Sequence, residues 1–243
     1  MAHLCTAQDR GFVAVKVISK EQHKELVAGA KVLEEQSFGV KVWLLPDQRI
    51  VKVFRLKRPL SSSRLYPYNT RFANNARRLR ARGVAAPNVL ETYYCPDIQR
   101  HGVMYDLLEG ETFHDLLPEA EDETLFRRFA RFLGELHEKG IYFRSVHPGN
   151  VLLTEDGGMG LIDIQDIRFW PWRLGKKTRA RNFRHLYNSG YNSLAMREFG
   201  FARFVDLYLQ ELPRSEAYRQ SLKPLIMKWD KAWECRKQEP VVS

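Results

Sequence analysis

The stretch from Leu136 to Asp166 constrains the fold of this 243-residue chain more than any other part of its sequence. A predicted amphipathic helix stops at Gly140, a short loop with the letters His-Pro-Gly-Asn follows, and a predicted hairpin turns at Asp156–Gly158. Asn150 lies at the start of the first hairpin strand, and Asp163 follows the second strand. Because a hairpin brings the outer ends of its two strands together, we expect an amide oxygen and a carboxylate side by side.

Amide and carboxylate oxygens are ligands that suit Mg²⁺, and Mg²⁺ bridges the phosphates in phosphoryl transfer. That chemistry also needs an amine upstream, which holds the α- and β-phosphates. Lys52 qualifies, because it lies on a predicted strand that follows a hairpin containing Gly39. Lys16 is a rival in the letters Val-Ala-Val-Lys, but too few residues precede it for such a hairpin. The other interpretation of Lys52 is a solvated lysine on an edge strand.

The remaining elements separate into a strand-rich first part and a helix-rich second part. Residues 12–18, 31–57, 89–95 and 101–108 are strand-like, as are the hairpin strands 151–154 and 159–164; helices are predicted over 70–82, over 123–139 and from about 177. Thr70 is the predicted cap of the first of these helices, and Gly83 ends it. This segregation predicts an α+β fold with two lobes, residues 1–108 and 109–243.

The composition indicates a globular protein that binds something anionic. The net charge is +10, every apolar run is too short to span a membrane, and no signal-peptide pattern opens the chain. The cysteines Cys5, Cys95 and Cys235 are few and far apart, which favours a reducing cytoplasm. Nucleic acid is a less suitable partner than phosphates or a membrane surface, because aromatic residues do not alternate with the basic ones.

Two basic runs flank the segments described above. Arg55–Arg82 contains nine Lys or Arg residues and no acid. The second run comprises Arg168, Arg173, Lys176, Lys177, Arg179, Arg181 and Arg184. A solvated face is the simplest interpretation of such runs, and an anion-binding surface is the other.

Several segments carry a resemblance to known kinases. Phe143–Asn150 resembles the catalytic loop of protein kinases, and Asp163 resembles the first residue of their Asp-Phe-Gly motif. More narrowly, VLEEQSFGVKVWLLPDQRIVKVFRLKR, RLYPYNTRFANNARRL and PWRLGKKTRARNFRHL are similar to the bacterial lipopolysaccharide-core kinases, which phosphorylate heptose or Kdo sugars. The similarity runs over roughly residues 31–190.

The resemblance implies a protein-kinase-like bilobal fold and an ATP- and Mg²⁺-dependent phosphotransferase. Its acceptor would be a sugar of the lipopolysaccharide inner core, reached at the cytoplasmic face of the inner membrane. Lys52 would bind the α- and β-phosphates, beneath a loop in which Gly39 is the remaining glycine. The implied roles of the other residues are adenine contacts for Leu107 and Glu109, Mg²⁺ ligation for Asn150 and Asp163, and contacts to an anionic sugar or glycolipid for Arg168, Arg173, Arg181 and Arg184.

The catalytic loop also departs from the kinase pattern. Ser145 occupies the position of the Asp that accepts the acceptor proton, and Phe143 replaces the preceding His. Asp166 is the first candidate for a substitute base, although it also suits a turn cap. His147 is the second candidate, although it also suits a loop histidine that packs on the hairpin. A missing base removes roughly 10²–10⁴-fold of rate.

The helix Glu that normally pairs with the phosphate-binding lysine is missing as well, since no acid lies between Phe54 and Leu90. Glu34 or Glu35 is a substitute from the strand region. Two hypotheses therefore stay open, an active sugar kinase and a catalytically impaired pseudokinase that binds nucleotide or a partner.

Overall fold

The computed structural model describes residues 14–55, 66–117, 123–190 and 194–229. The chain divides into two compact units, the first formed by residues up to Arg78 together with Pro87–Leu107, and the second by Leu79–Ala86 together with the residues from Leu108 onwards. Residues 12–13 and 56–57 of the predicted strands, Lys57, Arg58 and Arg64 of the first basic run, and Cys5 and Cys235 lie outside the described residues.

The strands are β1 (Val15–Val17), β2 (Lys31–Gln36), β3 (Gly39–Leu44), β4 (Arg49–Arg55), β5 (Val89–Cys95), β6 (Arg100–Asp106), β7 (Glu111–Thr112), β8 (Ile141–Phe143), β9 (Val151–Leu153), β10 (Met159–Leu161) and β11 (Ile167–Phe169). The helices are α1 (Lys20–Leu26), α2 (Tyr68–Arg80), α3 (Phe113–Leu116), α4 (Thr124–Glu138), α5 (Lys176–Gly190), α6 (Leu194–Phe199), α7 (Phe201–Glu211) and α8 (Glu216–Met227). Short 3-10 turns cover Pro148–Asn150 and Ile164–Asp166.

A mixed sheet forms the first unit. Among the described residues its strand order is β1-β5-β6-β4-β3-β2, with β1 parallel to β5 and the other neighbours antiparallel. The predicted strands before residue 58 therefore form two consecutive hairpins, β2–β3 and β3–β4. β4 is an interior strand, and its residues Ile50–Phe54 are buried. This continuous burial explains why the segment is so apolar around a single lysine.

Helix α2 packs on this sheet and starts earlier than predicted. Its first helical hydrogen bond runs from the Arg71 N–H to the Pro67 carbonyl, at 2.9 Å. Thr70 is therefore inside the helix, and its prediction as the cap is wrong, because the Pro67 carbonyl already accepts the first helical hydrogen bond. Asn69 ties the helix start to the sheet, since its amide nitrogen donates to the carbonyls of Tyr93 and Gly102.

The core of the second unit is built on α4. Its buried face contains Phe126, Phe129, Phe132, Leu133 and Leu136, and α7 packs against it. Leu125, which the sequence pattern placed on this face, is half-exposed, and the larger Phe126 takes the buried position. The ring of Phe126 stacks on that of Phe199, with centroids 3.8 Å apart.

Two small sheets frame the loop after α4, one in the order β10-β9-β7 and the other pairing β11 with β8. The Leu161 N–H donates to the Ala85 carbonyl at 2.9 Å, which attaches Leu79–Ala86 to β10. Gly140, at φ 71°, ends α4, and its carbonyl accepts from the Trp170 N–H at 2.8 Å. A Cβ at Gly140 would lie 2.4 Å from the Trp172 carbonyl oxygen, so only glycine allows this approach.

The α+β prediction is confirmed, because a mixed sheet makes up the first unit and helices dominate the second. In the part of the chain that the structure describes, none of the helices is long and apolar enough to cross a bilayer.

Candidate functional site

Asn150 lies at the end of a 3-10 turn, directly before β9, and is buried. Its amide nitrogen donates to the Ser145 carbonyl at 2.9 Å, and its backbone N–H donates to the His147 carbonyl at 2.9 Å. These two bonds close the catalytic-loop segment onto itself. Because the amide hydrogens face Ser145, the carbonyl oxygen Oδ1 is the atom of Asn150 that would coordinate a cation.

Asp163 follows β10 and lies at the same open end of the hairpin as Asn150. The Ile162 N–H donates to the Asn150 carbonyl at 3.1 Å and extends the β9–β10 ladder to the residue before Asp163. Asp163 adopts left-handed backbone angles, φ 54° and ψ 42°, which are rare for residues other than glycine. Such local strain concentrates at functional sites. The structure thus brings the predicted amide and carboxylate to adjacent backbone positions.

This donor set fits Mg²⁺. Within the described ranges, no group of three His, Cys, Asp or Glu side chains could hold a metal ion. Mg²⁺ in nucleotide sites does not need three, because it keeps several waters and binds substrate phosphates alongside one or two carboxylates. Asn150 and Asp163 would hold it in this unit.

His147 is half-buried next to these two residues. Burial lowers the pKa of its imidazole, the negative charge of Asp163 opposes that shift, and His114 adds to it. Its ring lies against Gly149, where a Cβ would be only 3.2 Å from Nδ1. The imidazole therefore packs against its own loop.

Ser145, which the resemblance aligns with the usual catalytic Asp, is half-buried. Among the described residues, no carboxylate accepts a hydrogen bond from its hydroxyl. Asp166 ends the second 3-10 turn, and its backbone carbonyl accepts from the Arg144 N–H at 3.3 Å. This bond extends the β8–β11 ladder and puts Asp166 across from the residue that precedes Ser145.

In the first unit, the two candidate lysines have opposite environments. Lys52 is only 5 % exposed on the interior strand β4, and its Nζ lies 5.9 Å from the Phe54 ring centroid. This placement does not agree with the alternative of a solvated edge-strand lysine. Lys16 lies on β1 at the sheet edge and is exposed, with its ammonium 3.6 Å from Glu91. A buried ammonium requires a partner, whereas the exposed Lys16 does not.

The other predicted nucleotide contacts lie at strand ends. Gly39 opens β3 with φ 102°, and a Cβ there would meet open space, so its backbone conformation is what requires glycine. The Leu107 N–H donates to the Gln48 carbonyl at 3.2 Å after β6. Glu109 is exposed before β7 in the second unit. Glu34, one of two proposed partners of Lys52, instead accepts from Lys41 at 2.8 Å.

A cavity of about 310 Å³ in the second unit collects part of the predicted acceptor-binding set. It is lined by Tyr142, Arg144, Arg168, Trp170, Lys177, Thr178 and Arg181. Arg168 and Arg181 are thus brought together. Arg173 is exposed but does not line this cavity, and the Arg184 guanidinium lies over the Trp229 ring at 5.2 Å.

Sequence reasoning missed the role of Arg144 here. The register explains it: Tyr142 pairs with Arg168 across β8 and β11, so Arg144 and Arg168 extend from the same face of the two strands.

Comparisons with known proteins give a distant likeness. No family model matches the chain, and no curated protein matches it. Among solved structures, it is similar to WbdD in a co-crystal with the kinase inhibitor LY294002, at 19 % identity and a TM-score of 0.41 over 75 % of this chain and 47 % of that one. It is also similar to a structure described as the bifunctional kinase-methyltransferase WbdD, at 19 % identity and a TM-score of 0.41 over 79 % and 47 %. The chain spans about half the length of these structures, and the finer resemblance to lipopolysaccharide-core kinases stays a prediction.

Proposed function

We propose that this protein is an ATP-dependent phosphotransferase that acts on an anionic sugar of the lipopolysaccharide inner core. The observation that supports it most is the placement of Asn150 and Asp163 at the open end of the β9–β10 hairpin, where the Ile162 N–H donates to the Asn150 carbonyl. The amide is oriented by the Ser145 carbonyl, and the carboxylate is held by a left-handed backbone. In the first unit, the buried ammonium of Lys52 on an interior strand agrees with this proposal.

Each residue has a defined part in the proposal. Lys52 neutralises the α- and β-phosphates of ATP, and Gly39 lies in the turn that covers them. Leu107 and Glu109 contribute the adenine contacts. Asn150 and Asp163 bind Mg²⁺, which when bound offsets the negative charge that develops on the transferred phosphoryl group.

In the proposed reaction the acceptor hydroxyl oxygen bonds to the γ-phosphorus, the bond from that phosphorus to the β–γ bridging oxygen breaks, and ADP leaves. We assign the hydroxyl proton to the Asp166 carboxylate. Asp166 lies across from Arg144, next to the loop position that lacks its usual carboxylate. An Asp166→Asn substitution should lower kcat by roughly 10²–10⁴-fold with little change in ATP affinity, as steady-state kinetics would show. Equal kcat in the variant would remove Asp166 from the mechanism.

Turnover with purified core glycolipid, ATP and Mg²⁺ tests the proposal as a whole. We expect phosphate transfer from the wild-type protein and its loss in Asp163→Asn. Asp156→Asn is the matched control, since Asp156 lies in the turn of the same hairpin and its carboxylate binds Thr154 and the Gly158 N–H. Transfer that survives in Asp163→Asn, or falls equally in Asp156→Asn, would contradict the proposal.

The second candidate function is a pseudokinase that binds nucleotide without transferring phosphate. The specific observation in its favour is Ser145, whose hydroxyl has no carboxylate partner in the described part of the chain. A thermal shift with ATP and Mg²⁺, measured beside the turnover assay, separates the two functions. A shift without transfer selects the pseudokinase, and transfer above background eliminates it.

A peripheral contact with the cytoplasmic face of the inner membrane belongs to the same proposal. Trp172 is 68 % exposed beside the exposed Arg173, and tryptophan with arginine is a combination that favours the membrane interface. We expect the protein to sediment with vesicles that contain anionic lipid, and less so after Trp172→Ala. Equal sedimentation of both proteins would contradict a role for Trp172.

A further inference from the structure

The cavity between β8, β11 and the start of α5 is strongly cationic. Arg144, Arg168, Lys177 and Arg181 all line it, and they come from three separate parts of the fold. The other side chains in its wall are the uncharged Tyr142, Trp170 and Thr178. Among the described residues, the cavity wall thus contains four positive charges and no carboxylate.

No carboxylate neutralises these charges from nearby either. Among the described residues, none of the four cations forms an ion pair. Asp166 lies across from Arg144 in the β8–β11 pair and accepts its backbone N–H, yet it makes no ion pair with the guanidinium within the described residues. Elsewhere in the same unit, by contrast, Arg127 and Arg131 both bind Glu211. Unpaired cations that share a cavity repel one another, so an anion would lower their energy.

The start of helix α5 adds to this field. The first helical hydrogen bond runs from the Arg179 N–H to the Gly175 carbonyl at 3.0 Å, so the N–H groups of Lys176–Thr178 precede the ladder. A helix N-terminus carries partial positive charge and favours acids, but this first turn contains two lysines and no acid. The Lys176 ammonium extends away to Ser221 at 2.5 Å, and Lys177 lines the cavity. The two lysines at this helix start would be stabilised by a bound anion. Without an anion, their charges add unfavourably to the positive end of the helix dipole.

The positive charges of the cavity also affect the pKa of the Tyr142 hydroxyl. Burial raises the pKa of the Tyr142 hydroxyl, and the charges of Arg181, Arg144 and Arg168 oppose that rise. The Tyr142 hydroxyl is hydrogen-bonded to Nε2 of His185 at 2.9 Å. This bond fixes the tyrosine that forms the floor of the cavity.

Part of the cavity lining is aromatic. Trp170 is half-exposed and meets the buried Tyr142 ring edge to face, with centroids 5.9 Å apart. An indole surface beside arginines can pack on the apolar side of a sugar ring while the guanidinium groups bind its phosphate. Arginine binds phosphate in a bidentate manner, which suits a phosphomonoester with three acceptor oxygens.

We propose that this cavity binds the phosphomonoester group of a phosphorylated sugar. Arg144, Arg168 and Arg181 bind the phosphate, Lys177 supplies a further charge, and Trp170 packs on the sugar ring. The inference that the phosphate belongs to a sugar rests on the function proposed above. The inference that a phosphate binds here rests on the cavity itself. Because Arg144 directly precedes Ser145, a ligand bound here lies at the start of the loop that contains Asn150.

Calorimetric titration of the full chain without nucleotide tests the site, with glucose 6-phosphate, glucose and inorganic phosphate as the probes. We expect glucose 6-phosphate to bind at least tenfold more tightly than inorganic phosphate, and glucose to show no binding. Addition of 0.5 M salt should weaken the binding of glucose 6-phosphate. The double variant Arg144→Gln/Arg181→Gln should weaken binding at least 100-fold, about tenfold for each charge-assisted contact removed. Trp170→Leu should bring the affinity for glucose 6-phosphate close to that for inorganic phosphate.

Lys176→Gln is the matched control, because Lys176 belongs to the same basic run, lies outside the cavity wall and directs its ammonium to Ser221. Its affinity should equal that of the wild-type protein, and the melting temperature of every variant establishes that it is folded. Equal losses of affinity in Lys176→Gln and the double variant would show that general surface charge causes the effect, and would overturn the site. Equal affinity for inorganic phosphate and glucose 6-phosphate would contradict the proposal that the cavity also binds the sugar ring.

The nucleotide site is tested separately in the same titrations. Asp163→Asn should lose the Mg²⁺ dependence of ATP binding and keep glucose 6-phosphate binding. Sugar phosphate binding by a wild-type protein that transfers no phosphate would refute the proposed function alone. Phosphate transfer by a wild-type protein that binds no sugar phosphate would refute this site alone.

Discussion

Two arginines on α5, Arg179 and Arg181, are separated by one residue and have opposite environments. Arg179 is fully buried, and its guanidinium donates to the Leu174 carbonyl, the Tyr208 hydroxyl and the Glu138 carboxylate. Arg181 is exposed and lines the cationic cavity. The same residue type is thus structural on one face of the helix and available for a ligand on another. A basic run in a sequence contains both kinds.

The buried side of this comparison is a network around Glu138. Its carboxylate binds Arg179 at 2.6 Å and also binds Arg214. Burial alone would raise the pKa of Glu138, but the hydrogen bonds from Arg214 and Arg179 outweigh it and lower that pKa. His137 joins the network through its own bonds to the Tyr208 hydroxyl at 2.7 Å and to Oδ1 of Asn182 at 3.1 Å.

The largest effect we expect is from Arg179→Met. The substitution leaves part of the buried network without its cation, and breaking such a buried pair costs about 3–5 kcal/mol. Urea unfolding monitored by circular dichroism measures the change in the free energy of unfolding. A loss below about 1 kcal/mol would show that Arg179 is not the structural member of the pair.

The second effect is a loss of stability in acid that comes from His137. Burial lowers the pKa of this imidazole to about 3, with the charge of Arg179 acting in the same direction. Because the unfolded chain keeps the ordinary pKa near 6.5, its stabilising contribution is complete above that pH and is lost as the pH falls towards 3. Protonation of the unfolded state at pH 5 lowers the free energy of unfolding by about 2 kcal/mol.

The measurement for His137 is urea unfolding of the wild-type protein and of His137→Gln at pH 7.5 and pH 5. Glutamine has no charged form, so the variant should lose about 2 kcal/mol less than the wild-type protein over this interval. The difference between the two proteins isolates His137 from the other titrating groups. Parallel losses in both would show that His137 does not carry the acid sensitivity.

The smallest effect is expected on the exposed side of the comparison. Arg181→Gln should change the free energy of unfolding by no more than about 0.5 kcal/mol, because the side chain is exposed and forms no ion pair with a described residue. At low salt the variant should be slightly more stable, since one of four mutually repelling cations is gone. Urea unfolding at 20 mM and 300 mM NaCl compares the two conditions. Destabilisation as large as that of Arg179→Met would remove the distinction between the two arginines.

Local sequence signals predicted much of the fold. The strand over residues 89–95 has its predicted bounds, because it is rich in aliphatic and aromatic residues and lies between Pro87 and Pro96. Asn150 and Asp163 were also predicted as neighbours, because hairpin pairing is a short-range property that the Asp156–Gly158 turn determines.

Long-range packing determined what the sequence did not reveal. Nothing in the second basic run distinguishes Arg179 from Arg181, since the distinction comes from Glu138, at the end of another helix. Arg144 did not stand out in the sequence because its role depends on how β8 pairs with β11. The cap of α2 was misplaced at Thr70, because the Pro67 carbonyl starts the helix without a side-chain signal.

The most direct test of the account is calorimetric titration of ATP, with and without Mg²⁺, into the wild-type protein, Asp163→Asn and Lys52→Met. We predict that ATP binding to the wild-type protein depends on Mg²⁺. This metal dependence should be lost in Asp163→Asn, and ATP binding should be weaker in Lys52→Met. ATP binding that is the same in all three proteins, or absent from the wild-type protein, would contradict the assignment of these residues to a nucleotide site.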